Sequence, residues 1–212
     1  YSYGVLIYLV SLFAATFLNV AFYSEILRAL SGQEVSIGSG LRFAAGKVRS
    51  ILLWSLLAGI VGVIIRAIEE RLGWLGKIVM AAVGVAWSVA AVFAIPVIVR
   101  REQSNPLAVL RDSAATLKQT WGESLVGYVG IRMAGLAVLV AAVGCIVSLI
   151  VLSTLTHVWW LMLCGTVLVL LALFTASYFI SLANHVYRCA LYVYASEVVV
   201  PEPFTAEMMK AG

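Results

Sequence analysis

Charged residues are scarce in this chain. They make up 11% of its 212 residues, while hydrophobic residues make up 63%, and an ordinary soluble domain carries about 25% charged residues. This deficit of charge excludes a soluble globular protein. The high hydrophobicity excludes a disordered chain, because disorder requires too little apolar surface to build a core. The 3 cysteines are too few for a disulfide scaffold.

Long stretches without charge predict membrane-spanning helices. A helix needs roughly 20 mostly apolar residues to cross the hydrocarbon of a bilayer, which is about 30 Å thick. The stretch from Met133 to Tyr187 contains no Asp, Glu, Lys or Arg and is long enough for two crossings, with a turn at Ser153–His157. We therefore predict an all-α polytopic transmembrane helix bundle with five crossings in this chain, at about 1–24, 51–65, 78–99, 131–152 and 158–184.

Basic residues collect on one predicted side of the membrane. The segments after the first and third crossings hold most of the lysine and arginine, including Arg28, Arg100 and Arg101, and short loops rich in these residues stay preferentially in the cytoplasm. This pattern predicts a multi-pass protein of the prokaryotic cytoplasmic (inner) membrane with a cytoplasmic C-terminus. Tyr1 then lies outside, and because the chain begins with Tyr, we expect one further crossing upstream and six in the intact protein.

Two segments on the basic side have the pattern of amphipathic helices, at about 39–50 and 106–120. Asn105 and Pro106 suit the start of the second helix, since Asn caps helix N-termini and Pro is tolerated in the first turn. Ser39 is expected to cap the first helix. Both helices carry a predicted apolar stripe, which in the second helix comprises Leu107, Leu110, Leu117 and Trp121.

A shift of the chain by 69 residues superimposes these two segments. It places Arg42 and Arg49 on Arg111 and Lys118, so each helix carries basic residues seven positions apart. An internal repeat built on helical hairpins would produce this offset. A chance alignment of two basic amphipathic helices would produce it as well.

The basic residues of these helices are the candidate contacts with the membrane surface. A basic amphipathic helix beside a crossing usually lies in the headgroup layer, so we expect Arg42, Arg49, Arg111 and Lys118 to contact anionic lipid headgroups. The same pattern would serve to dock other membrane subunits, to self-associate or to gate a pore. The positive net charge follows from the membrane orientation and therefore gives no indication of a nucleic acid partner.

Three polar residues in the predicted crossings are candidates for contacts within the membrane. Asn19 and Asn184 could hydrogen-bond across helices, a contact of about 0.6–2 kcal/mol, or they could line a polar cavity. Arg132 could extend to the interface or pair with a buried partner or anion. No acidic residue falls within a predicted crossing, whereas ionisable residues usually mark the pathways of transporters and pumps.

Motifs for catalysis or for cofactor binding are missing from the sequence. His157 and His185 lie on one predicted helix about 42 Å apart, so they cannot bind the same haem iron. Cys145 and Cys164 are expected to be small core residues at similar depths. We therefore expect a protein that is not an enzyme and that binds no cofactor or metal.

The chain resembles an uncharacterised prokaryotic family of six-crossing integral membrane proteins. The residues that carry the resemblance are Asn19 through Glu25-Ile-Leu-Arg28, Val35 to Arg42, and above all Pro106 to Arg111 continuing through Thr120 to Ser124. The resemblance covers most of the chain and implies a crossing upstream of Tyr1. It implies no activity and no site residues.

Two functions remain as leading hypotheses. The first is a non-enzymatic integral subunit or scaffold within a larger membrane assembly, which fits the acid-free crossings and the interfacial helices. The alternative is a permease or channel for small solutes or ions, with the hairpins around an axis and the amphipathic helices as gates. An enzyme acting on lipid comes third, because no acid-base or nucleophile pattern is visible.

Overall fold

The chain folds into α-helices joined by short connections. A computed structural model describes residues 2–71, 73–102 and 104–197 and contains no strand within them. The predicted all-α helix bundle is therefore confirmed for these residues. In chain order the helices are α1 (Ser2–Ala29), α2 (Ile37–Gly46), α3 (Val48–Arg71), α4 (Gly73–Ala90), α5 (Ala94–Arg100), α6 (Pro106–Gln119), α7 (Trp121–Thr156) and α8 (Trp159–Glu197).

Five stretches of the described residues are long and apolar enough to span a membrane. They follow the predicted crossings in order, although the last one runs well past position 184. Their bounds are Tyr3–Ala29, Val48–Arg71, Gly76–Arg100, Met133–Thr156 and Met162–Ser196. The protein is therefore a multi-pass membrane protein.

The first predicted amphipathic segment, 39–50, is divided between two helices. α2 ends at Gly46, Lys47 caps its C-terminus, and α3 begins one residue later. The expectation that Ser39 caps α2 is wrong. The N-cap is Ser36, whose Oγ accepts a hydrogen bond from the Ser39 N–H at 3.1 Å. The helix starts earlier than expected because Ser36 offers this hydroxyl in an extended backbone conformation, which suits an N-cap.

The third membrane span is interrupted near its end. α4 stops at Ala90, and α5 begins at Ala94 after a short turn. Pro96 accounts for the break, because proline has no N–H to donate to the carbonyl of Val92 and its ring crowds that carbonyl. α5 is also the most deeply buried helix, and Pro96 to Val99 are all buried.

The helices form two compact units. The first unit contains α1 to α6 and the part of α8 that starts at Arg188. Its core surrounds α5 and includes Val20 and Leu27 of α1 and Leu191 and Tyr192 of α8, all buried. The ring of Tyr192 lies 6.4 Å from that of Phe93.

The second unit is the hairpin of α7 with α8 up to Tyr187. Its turn contains His157 with a φ of 54°, a left-handed conformation that a polar residue such as His adopts more readily than a branched one. The hydroxyl of Ser153 donates to the carbonyl of Val158 across this turn at 3.2 Å. Farther along the hairpin, Leu149 packs against Gly165, where an added Cβ would lie 2.7 Å from the Leu149 side chain.

Candidate functional site

A carboxylate at the end of α1 holds the beginning of α2. The Glu25 Oε2 atom accepts a hydrogen bond from the Ser36 N–H at 2.8 Å, and its Oε1 atom accepts one from the Ser39 hydroxyl at 2.8 Å. Arg28 Nη1 lies 3.4 Å from Oε1. A negative charge beside unpaired donors at a helix N-terminus is favourable, because the helix dipole is positive there. Glu25 therefore fixes where α2 starts.

Small residues bring α2 against α1. A Cβ added to Gly40 would lie 2.8 Å from the carbonyl oxygen of Ala21 and 2.9 Å from Glu25 Cγ, so only glycine fits there without movement. Ala44, one turn later, is also buried. Because this face of α2 lies on α1, the opposite face points away from the chain.

Beside the face that lies on α1, exposed apolar residues run along α2 and continue at the start of α3. We call these residues the α2 stripe, which has two members on each helix. The chain leaves a substantial part of each side chain exposed. The stripe comprises Ile37 (84% exposed), Leu41 (39%), Val48 (40%) and Leu52 (45%).

The four basic residues predicted to contact headgroups all have exposed side chains. Arg42 and Arg49 belong to α2 and α3, and Arg111 and Lys118 belong to α6. The part of the chain that the structure describes supplies no ion-pair partner for any of them. Their charges are therefore available to a group outside the chain.

Lys47 differs from these four because it is used within the chain. Its Nζ donates to the carbonyl oxygen of Arg101 at 3.0 Å and lies 5.8 Å from the ring centroid of Phe43. Arg101 also pairs with Asp112 of α6, with Nη1 2.8 Å from Oδ2. The junction of α2 and α3 is thus connected to α6 through Arg101.

The face that the second amphipathic helix, α6, buries is rotated from the predicted apolar stripe, although it shares Leu117 with that stripe. Its start is as predicted, with Asn105 as N-cap and Pro106 in the first turn. However, Leu107 of the predicted apolar stripe is exposed, and the side chain of Trp121 lies outside the described part. The buried face consists of Val109, Ser113, Thr116, Leu117 and Thr120.

Hydroxyl chemistry explains why α6 buries polar residues. The turn before α5 leaves the Phe93 N–H without a helical partner, and Ser113 Oγ accepts from it at 3.0 Å in a buried position. The Thr116 and Thr120 hydroxyls donate to carbonyls of their own helix. Burial of a hydroxyl costs little free energy when the hydroxyl is hydrogen-bonded in this way. The polar face of α6 can therefore pack against the interrupted span and accept its Phe93 N–H.

The candidate polar residues of the membrane spans are distributed over both units. Asn19 has an exposed side chain in the first unit. Asn184 belongs to the second unit and donates through Nδ2 to the carbonyl of Ile180 in its own helix at 3.0 Å. The side chain of Arg132 lies outside the described part. The hydrogen bond of Asn184 therefore lies within its own helix rather than across helices.

The third group of candidate residues consists of the cysteines and the possible metal ligands. Cys145 and Cys164 are exposed, and Cys189 is buried. The expectation that Cys145 and Cys164 are core residues is wrong, because a two-helix hairpin buries only the side on which its helices meet. Within 2–71, 73–102 and 104–197, no group of three or more His, Cys, Asp or Glu could hold a metal ion.

The chain matches the model of a described protein family along nearly all its length. Residues 2–200 match DUF6159, a family of unknown function. The chain belongs to DUF6159. No curated protein and no solved structure matches it.

Proposed function

We propose that this DUF6159 protein is a non-enzymatic integral subunit or scaffold of a larger membrane assembly. We further propose that it resides in a prokaryotic cytoplasmic membrane with α2 and α6 on the cytoplasmic side. The proposal rests mainly on one observation in the second unit, an exposed face of small residues on α7.

The small-residue face of α7 suits contact with another transmembrane helix. Ala141, Gly144, Cys145 and Ser148 recur on one side of α7 and are all exposed. A Cβ added to Gly144 would meet nothing within 4 Å, whereas one added to Gly165 would meet Leu149. Small residues allow helix backbones to approach closely in membranes. Gly165 is already used in this way inside the chain, and Gly144 is free for a helix of another chain.

Low internal burial of the spans supports the same proposal. In the most apolar stretches of the fourth and fifth spans, 6% and 0% of the residues are buried inside the chain. Lipid can cover such surface, but lipid does not require small residues. The combination of open spans and a small-residue face favours a protein partner on α7.

Photo-crosslinking in native membranes tests the subunit proposal. A photoreactive residue replaces Leu152, which lies on the small-residue face and is 47% exposed, or Val143, which lies on the opposite side and is 53% exposed. We expect a discrete protein adduct from position 152 and only lipid adducts from position 143. Native mass measurement in mild detergent should then give an assembly heavier than the 22.8 kDa chain. A solitary monomer without adducts would refute the proposal.

A permease or channel is the second candidate, and the interrupted span favours it. Transporters often bind substrate where a membrane helix is broken, and here α4 and α5 are separated at 91–93. Liposomes that contain the purified chain alone should then show flux of a small solute or an ion. Liposomes that show no flux, together with a crosslinked assembly, would favour the subunit proposal.

An internal repeat would account for the two amphipathic helices. α2 and α6 begin at Ile37 and Pro106, which are 69 positions apart, after side-chain caps at Ser36 and Asn105. At the same offset, buried positions superimpose on buried ones and exposed basic positions on exposed basic ones. The matching pairs are Gly40 with Val109, Ala44 with Ser113, Arg42 with Arg111, and Arg49 with Lys118. We propose a repeat unit of one span, one amphipathic helix and one returning span.

A further inference from the structure

The position of α2 in the chain places it at the edge of the membrane. The first candidate span ends at Ala29 and the second begins at Val48, so α2 joins the ends of two spans on one side of the bilayer. Glu25 and the close contact at Gly40 hold it on α1. An amphipathic helix at this depth can bury its apolar face at the boundary between headgroups and acyl chains.

The basic residues beside the α2 stripe indicate what kind of molecule binds there. Arg42 directly follows Leu41 in α2, and Arg49 directly follows Val48 in α3, so each basic residue is next to a member of the stripe in the chain. Neither has an ion-pair partner among the described residues. From position 34 to 52 the sequence contains one acidic residue, Glu34. The surface therefore combines exposed apolar side chains with adjacent positive charge.

We propose that the α2 stripe, with Arg42 and Arg49, is a docking surface for anionic phospholipid. The apolar side chains enter the acyl boundary, and each guanidinium donates to phosphate oxygens, which match its fork of N–H donors. The occupant is lipid rather than the acidic segment of a protein, because α2 joins the ends of two membrane spans and so lies at the level of the lipid headgroups. The proposal does not rest on the subunit function above.

The α6 helix provides an internal comparison. Its basic pair has the same spacing, but Arg111 and Lys118 sit in the middle of an exposed face whose other members are Leu107, Ala114 and Ala115. That face lacks a stripe of large apolar residues. We therefore assign lipid selectivity to the α2 pair and not to the α6 pair.

Lipid retention by the full chain tests this assignment. The purified protein is equilibrated in mild detergent with equal amounts of phosphatidylglycerol and phosphatidylcholine, and native mass spectrometry counts the lipids that it keeps. We expect wild type to prefer phosphatidylglycerol. Because each basic residue near an anionic surface contributes about 1 kcal/mol, the Arg42→Gln/Arg49→Gln variant should lose up to about 30-fold of that preference. The matched Arg111→Gln/Lys118→Gln variant should stay near wild type.

Further variants distinguish the contribution of charge to lipid retention from that of the apolar side chains. Arg42→Lys/Arg49→Lys keeps the charge and should keep most of the preference. If the double glutamine variant fails to fold, Arg42→Gln and Arg49→Gln taken singly should each lose part of the preference. Ile37→Ser/Leu41→Ser should reduce retention of both lipids while the preference persists. Three results would overturn the proposal: no preference in wild type, an unchanged preference in Arg42→Gln/Arg49→Gln, or an equal loss in Arg111→Gln/Lys118→Gln.

Discussion

The carboxylate of Glu25 accepts a hydrogen bond from the backbone N–H of Ser36, eleven positions later in the chain, at 2.8 Å. This contact joins the last turn of a membrane span to the cap of an amphipathic helix. It fixes the start of α2 and, through the helical period, which side chains of α2 face away from the protein. Glu25 therefore helps to orient Ile37 and Leu41, the two members of the stripe that belong to α2.

Replacement of Glu25 should loosen α2 without unfolding the spans. In Glu25→Ala the Ser36 N–H loses its carboxylate acceptor, at a cost of about 1–2 kcal/mol, while the Ser39 hydroxyl can still donate to the Ser36 carbonyl. Amide hydrogen exchange should rise throughout α2 and stay unchanged in α5. Glu34→Ala is the control, since Glu34 is exposed and close by in sequence. Unchanged exchange in α2 would contradict the anchoring role of Glu25.

Two glycines of α2 should respond in opposite ways to alanine. A Cβ at Gly40 would lie 2.8 Å from the backbone oxygen of Ala21, while one at Gly46 would meet nothing within 4 Å. Gly40→Ala should lower the free energy of unfolding by about 1–3 kcal/mol, because the backbone of α1 must move. Gly46→Ala should be neutral or stabilising by up to about 1 kcal/mol. Thermal unfolding in one detergent compares them, and similar effects would contradict the close packing.

Removal of the Ser113 hydroxyl should destabilise the interrupted span. In Ser113→Ala the buried Phe93 N–H loses its acceptor, which costs about 1–3 kcal/mol. Thr175→Ala is the matched control, because its exposed hydroxyl bonds only to the Leu171 carbonyl of its own helix. Thermal unfolding should separate the two variants. Equal stability would mean that water or another group satisfies Phe93.

Much of the helical architecture follows from composition and periodicity. Charge-free stretches predict the spans, and Asn105 with Pro106 predicts the start of α6. These signals are local, since hydropathy and capping act within a few residues. Features that depend on contacts between distant segments could not be predicted in this way. The buried face of α6 is one example, because Ser113 is buried to satisfy Phe93, twenty positions earlier.

The candidate site was only partly accessible from sequence. The exposed pair Arg42 and Arg49 follows from spacing alone, but the role of Glu25 does not. A weak signal exists, since Glu25 directly follows the predicted first crossing and precedes the serines at 36 and 39. The role of Lys47 could not be predicted either. Its partner is the backbone carbonyl of Arg101, and because every residue type has this group, the sequence carries no signal for the contact.

The ion pair between Arg101 and Asp112 should contribute little to stability despite its short distance of 2.8 Å. Its side chains are 49% and 22% exposed, and pairs that solvent screens in this way are worth at most about 1 kcal/mol. Asp112→Asn should therefore lower the free energy of unfolding by less than about 1 kcal/mol, and high salt should remove the difference from wild type because it screens the pair. The Lys47 contact with the Arg101 carbonyl should persist, since it needs only the backbone. A larger loss in Asp112→Asn, insensitive to salt in thermal unfolding, would mean that Asp112 holds α6 through something other than this pair.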